Sequence, residues 1–436
     1  MVSRMAQHFL VEGGTPLKGT VTPAGNKNAA LPMIAATLLA DGPSELVNVP
    51  RIRDVELQLA LLEDLGATVA WTGPGRVRID PTGLRSQALD PELCRQLRAS
   101  ILLAGPLLAR FGQVTLPPPG GDVIGRRRLD THFLAFERLG AEVDIGHAYR
   151  VSARSLTGTD IFLDEPSVTA TENALMAAVR ARGRTVLRNA ASEPHVQDLA
   201  HGLNAMGGQI AGIGTNVLVV DGVDALHGGT LEIGPDHIEI GSFLGLAAVT
   251  DGDLRIEGVR PADLESTLLQ FDRLGVRPRL DGSTLHVAAS QERRIRPDLG
   301  GHVPKIEDGP WPAFPADLTS IAVVVATQCD GLVMIFEKMF ESRLYFVDKL
   351  VGMGARAVLC DPHRVVIAGP SPLRGGVVES PDIRAGMAML LAAVAAEGQS
   401  EIHNIGQIDR GYERIDERLR ALGAKIDRVG DPTPIR

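Results

Sequence analysis

The chain has 436 residues, of which 44% are hydrophobic, 22% are charged and only 4% are aromatic. This composition excludes a disordered or fibrous protein and predicts a globular chain of two or three domains. The net charge of −9 argues against a general nucleic-acid binder, although local clusters of arginine can still bind small anions.

Two stretches of the chain bear on targeting. Residues 1–9 lack an apolar run of the length that a signal peptide needs. The longest uncharged run of small apolar residues, 385–396, is too short to span a bilayer. We therefore expect a cytoplasmic protein with no membrane partner.

A short motif, an apolar residue followed by glycine and a small residue, recurs along the whole chain. The residues before each glycine carry apolar side chains at helical spacing, as in 55–65 and 415–422. Glycine suits the left-handed position that follows a helix. Successive glycines lie between 67 and 79 residues apart, which predicts six units of similar length. They are Gly66, Gly140, Gly207, Gly275, Gly354 and Gly423.

Each unit also contains an earlier helix that is apolar on nearly all faces, followed by a short strand. The helices are predicted at residues 28–39, 98–109, 171–181, 240–249, 318–327 and 383–396. The strands are predicted at residues 45–48, 113–116, 185–189, 253–258, 331–336 and 400–404. A helix that is apolar on every face is buried, and alternating helices and strands indicate α/β layers. We therefore expect an α/β fold with these helices inside a ring of sheets and three units in each half.

Charged side chains recur between each strand and the second helix of its unit. Arg53, Arg127, Arg343 and Arg410 lie in four of these six loops, and all lead into helices. The apolar helices also begin at polar or charged residues, at 27–28, 98, 171–172, 237–239, 317 and 382–384. A helix N-terminus offers free N–H groups and partial positive charge, so cations gathered there predict a site for phosphate or carboxylate. The alternative is that each arginine is a solvated surface charge.

Four stretches resemble the UDP-N-acetylglucosamine enolpyruvyltransferases and occur in the same order as in that family. They are AGNKNAALP (24–32), LRAS (97–100), PGGDVIG (119–125) and IDRGYE (408–413). The resemblance implies two inside-out α/β barrel domains of the EPT/RTPC-like type, each with three repeated units and together a pseudo-six-fold repeat. One domain would span 27–234 with a lid loop at 117–128, and the other, discontinuous domain would combine 1–26 with 235–436.

The same resemblance implies a reaction. The 3-hydroxyl of UDP-N-acetylglucosamine would add to phosphoenolpyruvate, phosphate would be eliminated, and the sugar would be committed to peptidoglycan synthesis. No metal and no organic cofactor are implied. We expect a monomer or a weak homo-oligomer.

The resemblance also assigns residues to the two substrates. The phosphoenolpyruvate positions are Lys27, Arg98, Arg127 and Arg410. The sugar-nucleotide positions are Asn28, Asp317 and Arg343, a uridine wall of Arg127, Arg128, Leu129, Asp130 and His132, a diphosphate turn of Ser167, Val168 and Thr169, and the cleft residues Asp382 and Arg384. Arginine suits a donor with both phosphate and carboxylate because its planar guanidinium binds either group in a bidentate manner.

The catalytic residues implied are Lys27, Arg410 and two aspartates. Asp317 is suited to act as the base for the sugar hydroxyl. The alternative, which can coexist with this role, is that Asp317 caps the apolar helix that follows it.

Asp122 lies in the lid loop, at a position where many relatives have cysteine. We expect its carboxyl group to protonate the methylene carbon of phosphoenolpyruvate, which requires a desolvated site that keeps the group protonated. The alternative is a turn aspartate that follows two glycines. Because none of the cysteines, Cys94, Cys329 and Cys360, lies near it in the sequence, we predict resistance to fosfomycin, an epoxide that alkylates the lid cysteine.

Other departures from the family pattern cluster around the nucleotide. Glu165 stands where lysine is common, His237 where arginine is expected, Thr169 in place of glycine, and Arg128 in place of proline. They leave open a different acceptor, such as another nucleotide or shikimate-3-phosphate. A non-catalytic homologue that binds a sugar nucleotide is the third hypothesis.

Overall fold

The computed structural model describes residues 7–121 and 124–430. These residues divide into two compact units. Residues 25–121 and 127–234 form the N-terminal unit, and residues 7–24, 124–126 and 235–430 form the C-terminal unit.

Helices and strands alternate along both units. The helices are α1 (Lys27–Ala36), α2 (Arg53–Leu65), α3 (Pro91–Gln96), α4 (Ala104–Phe111), α5 (Asp130–Arg138), α6 (Val168–Ala178), α7 (Pro194–Ala205), α8 (His237–Val249), α9 (Glu265–Arg273), α10 (Thr319–Thr327), α11 (Val347–Gly352), α12 (Ile383–Ala395) and α13 (Ile415–Ala421). The strands are β1 (His8–Glu12), β2 (Lys18–Val21), β3 (Ser44–Val47), β4 (Thr68–Gly73), β5 (Arg76–Asp80), β6 (Gln113–Leu116), β7 (Glu142–Ile145), β8 (Tyr149–Ser152), β9 (Asp160–Phe162), β10 (Arg184–Arg188), β11 (Gln209–Ala211), β12 (Val217–Asp221), β13 (Thr230–Glu232), β14 (Asp253–Glu257), β15 (Arg279–Asp281), β16 (Thr284–Val287), β17 (Lys305–Glu307), β18 (Gly331–Phe336), β19 (Ala357–Asp361), β20 (Arg364–Gly369), β21 (Val377–Glu379), β22 (Gln399–His403) and β23 (Lys425–Val429).

The strands of each unit form three sheets. In the N-terminal unit the strand orders are β13-β3-β5-β4, β6-β8-β7 and β11-β12-β10-β9. In the C-terminal unit they are β15-β16-β14-β2, β17-β18-β20-β19 and β21-β22-β1-β23. The start of the chain contributes to two sheets of this unit, because β2 pairs in parallel with β14 and β1 pairs between β22 and β23. The N-terminal strand thus completes the final unit.

The first helix of each unit is largely buried. In the C-terminal unit, every residue of α8 is buried, and α8, α10 and α12 pack against one another. In the N-terminal unit, nine residues of α1 are buried, and α4 packs against α6. This arrangement confirms the predicted α/β class with apolar helices inside and sheets outside.

The repeated glycines have the backbone conformation that the sequence predicted. Their φ angles are 104° (Gly66), 97° (Gly140), 102° (Gly207), 76° (Gly275), 106° (Gly354) and 100° (Gly423). All are left-handed and follow the second helix of a unit, where a side chain would be strained. The strands β6 and β18 have the predicted bounds.

Some helix starts differ from the prediction. The helix predicted from residue 98 begins with a 3-10 turn, Arg98–Leu103, before α4. Helices α6 and α8 begin three residues earlier than predicted, because Ser167 and Asp236 cap them. In the described parts of the chain, no helix is long and apolar enough to cross a membrane.

Candidate functional site

A buried ion pair lies at the start of α1. The Nζ atom of Lys27 is 2.7 Å from Oδ2 of Asp54 on α2, and the two side chains are 10% and 3% exposed. The side-chain oxygen of Asn26 caps α1 by accepting hydrogen bonds from the backbone N–H groups of Asn28 and Ala29. The predicted Lys27 is therefore fixed by a carboxylate and by the helix start on which it lies.

Two arginines meet beside a cavity in the N-terminal unit. Arg98 donates a hydrogen bond to the backbone carbonyl of Arg127 and lies 3.5 Å from that of Pro119. Burial, together with the charge of Arg127, lowers the pKa of Arg98 to about 10. Keeping Arg98 charged in this buried position therefore costs free energy, and an anionic ligand bound beside it would offset that cost.

The cavity beside these arginines has a volume of about 270 Å³. It is lined by Arg98, Pro118, Pro119, Arg127, Leu129, Asp130, Phe133, Ile145 and Tyr149. Four of these residues were predicted to bind substrate. The aromatic part of the wall was not, although the rings of Phe133 and Tyr149 lie 5.3 Å apart and shape it.

The predicted uridine wall is charged on its outer side. Arg128 is exposed and pairs with Asp130 at 3.2 Å and with Asp164 at 2.9 Å. Asp164 also accepts a hydrogen bond from the Thr131 hydroxyl. Arg128 is therefore held by two local carboxylates.

His132 lies behind this wall and is buried. Burial, with the nearby charge of Arg98, lowers its pKa to about 3, so the ring is neutral at pH 7. The Asn173 amide donates to Nδ1 at 2.9 Å, which leaves Nε2 to donate to the Thr169 hydroxyl at 3.2 Å. Both ring nitrogens of His132 therefore have protein partners in this geometry.

The predicted diphosphate turn forms the start of α6. Ser167 is the N-cap, and its hydroxyl lies 3.4 Å from the backbone nitrogen of Ala170. Val168 is the first helical residue, and Thr169, which follows, contacts His132. All three predicted residues are half-buried.

In the C-terminal unit, Asp317 lies between two buried arginines. Arg343 donates to Oδ1 at 3.1 Å, while Nε and a terminal nitrogen of Arg384 lie 3.0 and 2.9 Å from Oδ2. The Asp317 side chain is 26% exposed, so solvent or a ligand can reach it. Leu318, not Asp317, is the N-cap of α10 and has no capping hydrogen bond, which disfavours the helix-cap interpretation.

Both arginines are supported from behind by residues that sequence reasoning missed. Nε of Arg343 lies 3.8 Å from Glu337, whose side chain is fully buried. Burial raises the pKa of Glu337 to about 9, and the charge of Arg343 offsets only part of this effect. The guanidinium of Arg384 lies 5.5 Å from the ring centre of Tyr412, whose hydroxyl is 2.9 Å from that of Ser242. Of these residues, only Tyr412 lies in one of the four stretches that resemble the family, IDRGYE.

Two further predicted residues lie at helix or turn positions of the same unit. Asp382 caps α12 by accepting from the backbone N–H groups of Arg384 and Ala385. Arg410 ends a 3-10 turn, is 8% exposed, and donates to Gln407 at 2.9 Å. Both are thus oriented by local structure.

His237, at a position where the resemblance predicted arginine, is the first residue of α8 and is buried. Burial lowers its pKa to about 4; the charge of Asp317 opposes this effect and that of Arg384 adds to it. Its ring meets that of Trp311 edge-on at 6.3 Å. A neutral, aromatic-packed imidazole therefore stands where a cation was expected.

The helix starts of α1, α8 and α12 are partly capped. Two backbone amides at each start donate to a capping side chain, from Asn26, Asp236 and Asp382. The cationic side chains, rather than these amides, are the groups available to bind an anion.

Some of the predicted residues gather into a cluster in each unit, and the others are not shown to join it. The N-terminal unit brings together Arg98 with Arg127, Leu129 and Asp130, and carries Lys27 at the start of α1. The C-terminal unit brings together Asp317, Arg343 and Arg384. Asp122 lies outside the described residues.

Comparison with known proteins places this architecture in a family. The family model described as EPSP synthase (3-phosphoshikimate 1-carboxyvinyltransferase) matches residues 11–419. The chain therefore belongs to the EPSP synthase family.

The chain is also similar over nearly its full length to three relatives, each named UDP-N-acetylglucosamine 1-carboxyvinyltransferase. The relative from Bradyrhizobium diazoefficiens is 62% identical over 97% of this chain and 98% of its own length. Those from Treponema denticola and Treponema pallidum are 54% and 55% identical, over 96% and 97% of this chain and 98% and 99% of their own lengths. The predicted resemblance to this group is confirmed.

Solved structures confirm the fold. The enolpyruvyl transferase NikO from Streptomyces tendae matches with a TM-score of 0.86 and 23% identity, covering 98% of this chain and all of that one. An EPSP synthase from Acinetobacter baumannii matches with a TM-score of 0.74 and 19% identity, over 98% of this chain and 100% of its own.

Proposed function

We propose that the chain transfers the enolpyruvyl group of phosphoenolpyruvate to the 3-hydroxyl of UDP-N-acetylglucosamine, with release of phosphate. This would be the first committed step of peptidoglycan synthesis, carried out in the cytoplasm. The observation that carries the proposal is the 62% identity, over nearly the full length of both chains, to a relative with that name. The proposed reaction uses no metal and no organic cofactor.

The donor site is proposed to consist of Lys27, Arg98, Arg127 and Arg410. Phosphoenolpyruvate carries a phosphate and a carboxylate, so several cations are needed to bind it. The two arginines beside the cavity support this role, because an anion there would offset the cost of burying Arg98 next to Arg127. Lys27 contributes a compact charge whose direction is set by Asp54.

Asp317 is proposed as the base that removes the proton of the sugar hydroxyl. Hydrogen bonds from Arg343 and Arg384 hold its carboxylate in one orientation. A base held in place by donors on both oxygens is suited to proton abstraction from a positioned substrate. Arg343 and Arg384 would then also face the bound sugar nucleotide.

The remaining sugar-nucleotide contacts are proposed from the resemblance. They are Asn28, Arg128, Leu129, Asp130, His132, Ser167, Val168, Thr169, Asp317, Arg343, Asp382 and Arg384. The proposal for Leu129 and Asp130 is supported by their place in the cavity wall, and that for His132 by its hydrogen bond with Thr169, another proposed contact. We also propose the domain organisation implied by the resemblance and a monomer or weak homo-oligomer.

Asp122 is proposed as the acid that protonates the methylene carbon of phosphoenolpyruvate. The support comes from its position in the PGGDVIG stretch. With a carboxyl group there instead of a thiol, the enzyme would resist fosfomycin. Two of the three thiols support this, since burial raises the pKa of Cys94 to about 11 and that of Cys329 to about 12, which disfavours the nucleophilic thiolate.

The function is tested by a phosphate-release assay with phosphoenolpyruvate and a panel of acceptors. We expect rapid release with UDP-N-acetylglucosamine and none above background with shikimate-3-phosphate or with UDP-glucose. Release with a different acceptor alone would make the chain an enolpyruvyltransferase of another pathway. No release with any acceptor, while UDP-N-acetylglucosamine still binds, would make it a non-catalytic homologue.

A further inference from the structure

Away from both clusters, two histidines and a glutamate meet on one sheet of the C-terminal unit. His8 lies on β1, and Glu401 and His403 lie on β22. The antiparallel register pairs Phe9 with Ile402, which brings His8 beside His403, and their ring centres are 5.2 Å apart. Within the residues that the structure describes, this is the one group of three or more His, Cys, Asp or Glu side chains close enough to share a metal ion.

The donor atoms converge at metal-ligand spacing. Nε2 of His403 and Nε2 of His8 lie 3.0 and 3.5 Å from the same oxygen, Oε1 of Glu401, and all the ligand atoms are within 4.8 Å of one another. Two ligands that each lie about 2.1 Å from a tetrahedral zinc ion are about 3.4 Å apart. The observed distances lie on both sides of that value, so small side-chain rotations would be enough to seat an ion.

We propose that His8, Glu401 and His403 form a binding site for a divalent transition metal of the zinc class. Imidazole nitrogen and carboxylate oxygen are ligands that zinc accepts in protein sites. The side chains are 16%, 35% and 42% exposed, which leaves room for water as the fourth ligand. The proposal is independent of the proposed transferase activity.

The surrounding charges favour a cation. Glu379 on β21 is the parallel register partner of His403, and Asp427 on β23 is the antiparallel partner of Leu10. Both acidic residues are exposed. They add negative potential beside the three ligands, which favours a divalent cation over an anion.

The three proposed ligands come from opposite ends of the chain. His8 belongs to the N-terminal strand that completes the final unit, and the other two ligands belong to a strand almost four hundred residues later. A metal ion would join these distant segments in the folded state only, so binding stabilises the fold. We therefore assign the site a structural role, in which it ties β1 to β22.

The test uses the full-length, untagged chain after chelator treatment and dialysis. Titration with zinc chloride by calorimetry at neutral pH is expected to give one saturable site per chain, and zinc is expected to raise the Tm. Cobalt(II) is expected to give the visible absorption of a tetrahedral ion. His8→Ala and His403→Ala should each weaken zinc binding at least tenfold and abolish the rise in Tm.

His286→Ala is the matched control. Nε2 of His286 lies 2.9 Å from Asp253 on another sheet, so this site has a histidine and a carboxylate but no second histidine. Binding by this variant should equal that of the wild type. If an alanine variant unfolds without metal, as judged by circular dichroism, Glu401→Gln is used instead, with the same expected loss. The proposal is overturned if the wild type shows no saturable site, or if these ligand variants bind zinc like the wild type.

Discussion

Lys27 and Asp54 form an ion pair that is almost entirely buried, with 2.7 Å between Nζ and the carboxylate. Lys27 belongs to the AGNKNAALP stretch that carries the family resemblance, whereas Asp54 was not predicted to have a functional role. Because water cannot solvate either charge well, the pair is more sensitive to loss of one partner than an exposed pair would be.

Replacing Asp54 with alanine is expected to lower the free energy of unfolding by about 3 kcal/mol, because Lys27 is left as a poorly compensated buried charge. The control is Glu56→Ala on the same helix, which removes the half-buried partner of the exposed Arg51. That change should cost less than about 1 kcal/mol. Urea denaturation of both variants makes the comparison. If both variants lost the same free energy of unfolding, burial would not make the Lys27–Asp54 pair more important for stability than the Arg51–Glu56 pair.

Replacing Asp317 with asparagine is expected to lower kcat by about 10²- to 10⁴-fold, because asparagine is a very weak base but keeps the shape of the side chain. Asp361→Asn is the control. Asp361 also forms an ion pair with an arginine, Arg364, but that arginine is exposed, whereas the arginines that pair with Asp317 are buried. The kcat of Asp361→Asn should equal that of the wild type. Steady-state kinetics with both substrates decides the matter, and near-normal turnover by the Asp317 variant would remove it from the proton transfer.

The buried carboxyl group of Glu337 predicts a pH dependence of stability. Its pKa in the folded chain, about 9, lies above the ordinary value of 4.5. Between these two pKa values, the folded state holds a proton on Glu337 that the unfolded state has lost. The contribution of this proton to the free energy of unfolding is therefore fully present below about pH 4.5 and is lost as pH rises through about 9. The wild type should lose up to about 1.4 kcal/mol per pH unit in this window relative to Glu337→Gln.

Urea denaturation of both proteins at pH 6 and pH 8 measures this difference. The exposed Glu397→Gln is the control and should follow the wild type at both pH values. A constant difference between wild type and Glu337→Gln at the two pH values would mean that Glu337 is ionised in the folded chain.

Fosfomycin should fail to inactivate the wild type and should inactivate Asp122→Cys in a time-dependent manner. The reason is that only a thiolate at this position can open the epoxide. Cys360 is the exposed cysteine among the three, so Cys360→Ser serves as the control. Rapid covalent inactivation of the wild type would contradict the prediction, and loss of that inactivation in Cys360→Ser would identify the thiol responsible.

The regular part of the fold was predictable because it depends on local signals. The glycines that end the second helices, from Gly66 to Gly423, all adopt positive φ, as the repeated motif indicated. The first helices were predictable because they are apolar on every face. Their starts were less so, since capping by Ser167 and Asp236 extends α6 and α8 by a turn.

What the sequence did not indicate depends on contacts between distant segments. The pairing of β1 with β22 requires strand register across almost the whole chain. Glu337 follows β18 and was not among the predicted residues, yet its side chain is fully buried 3.8 Å from Nε of Arg343. The motif at 408–413 pointed to Arg410, but the packing of Tyr412 under Arg384 follows only from the tertiary structure.

The most direct test of the proposed reaction measures both products in one experiment. Wild-type protein is incubated with phosphoenolpyruvate and UDP-N-acetylglucosamine, and free phosphate and the enolpyruvyl ether of the nucleotide sugar are quantified by colorimetry and mass spectrometry. We predict equal molar amounts of the two, with both strongly reduced in Asp317→Asn. Phosphate without the ether, or neither product from a folded chain that binds both substrates, would contradict enolpyruvyl transfer.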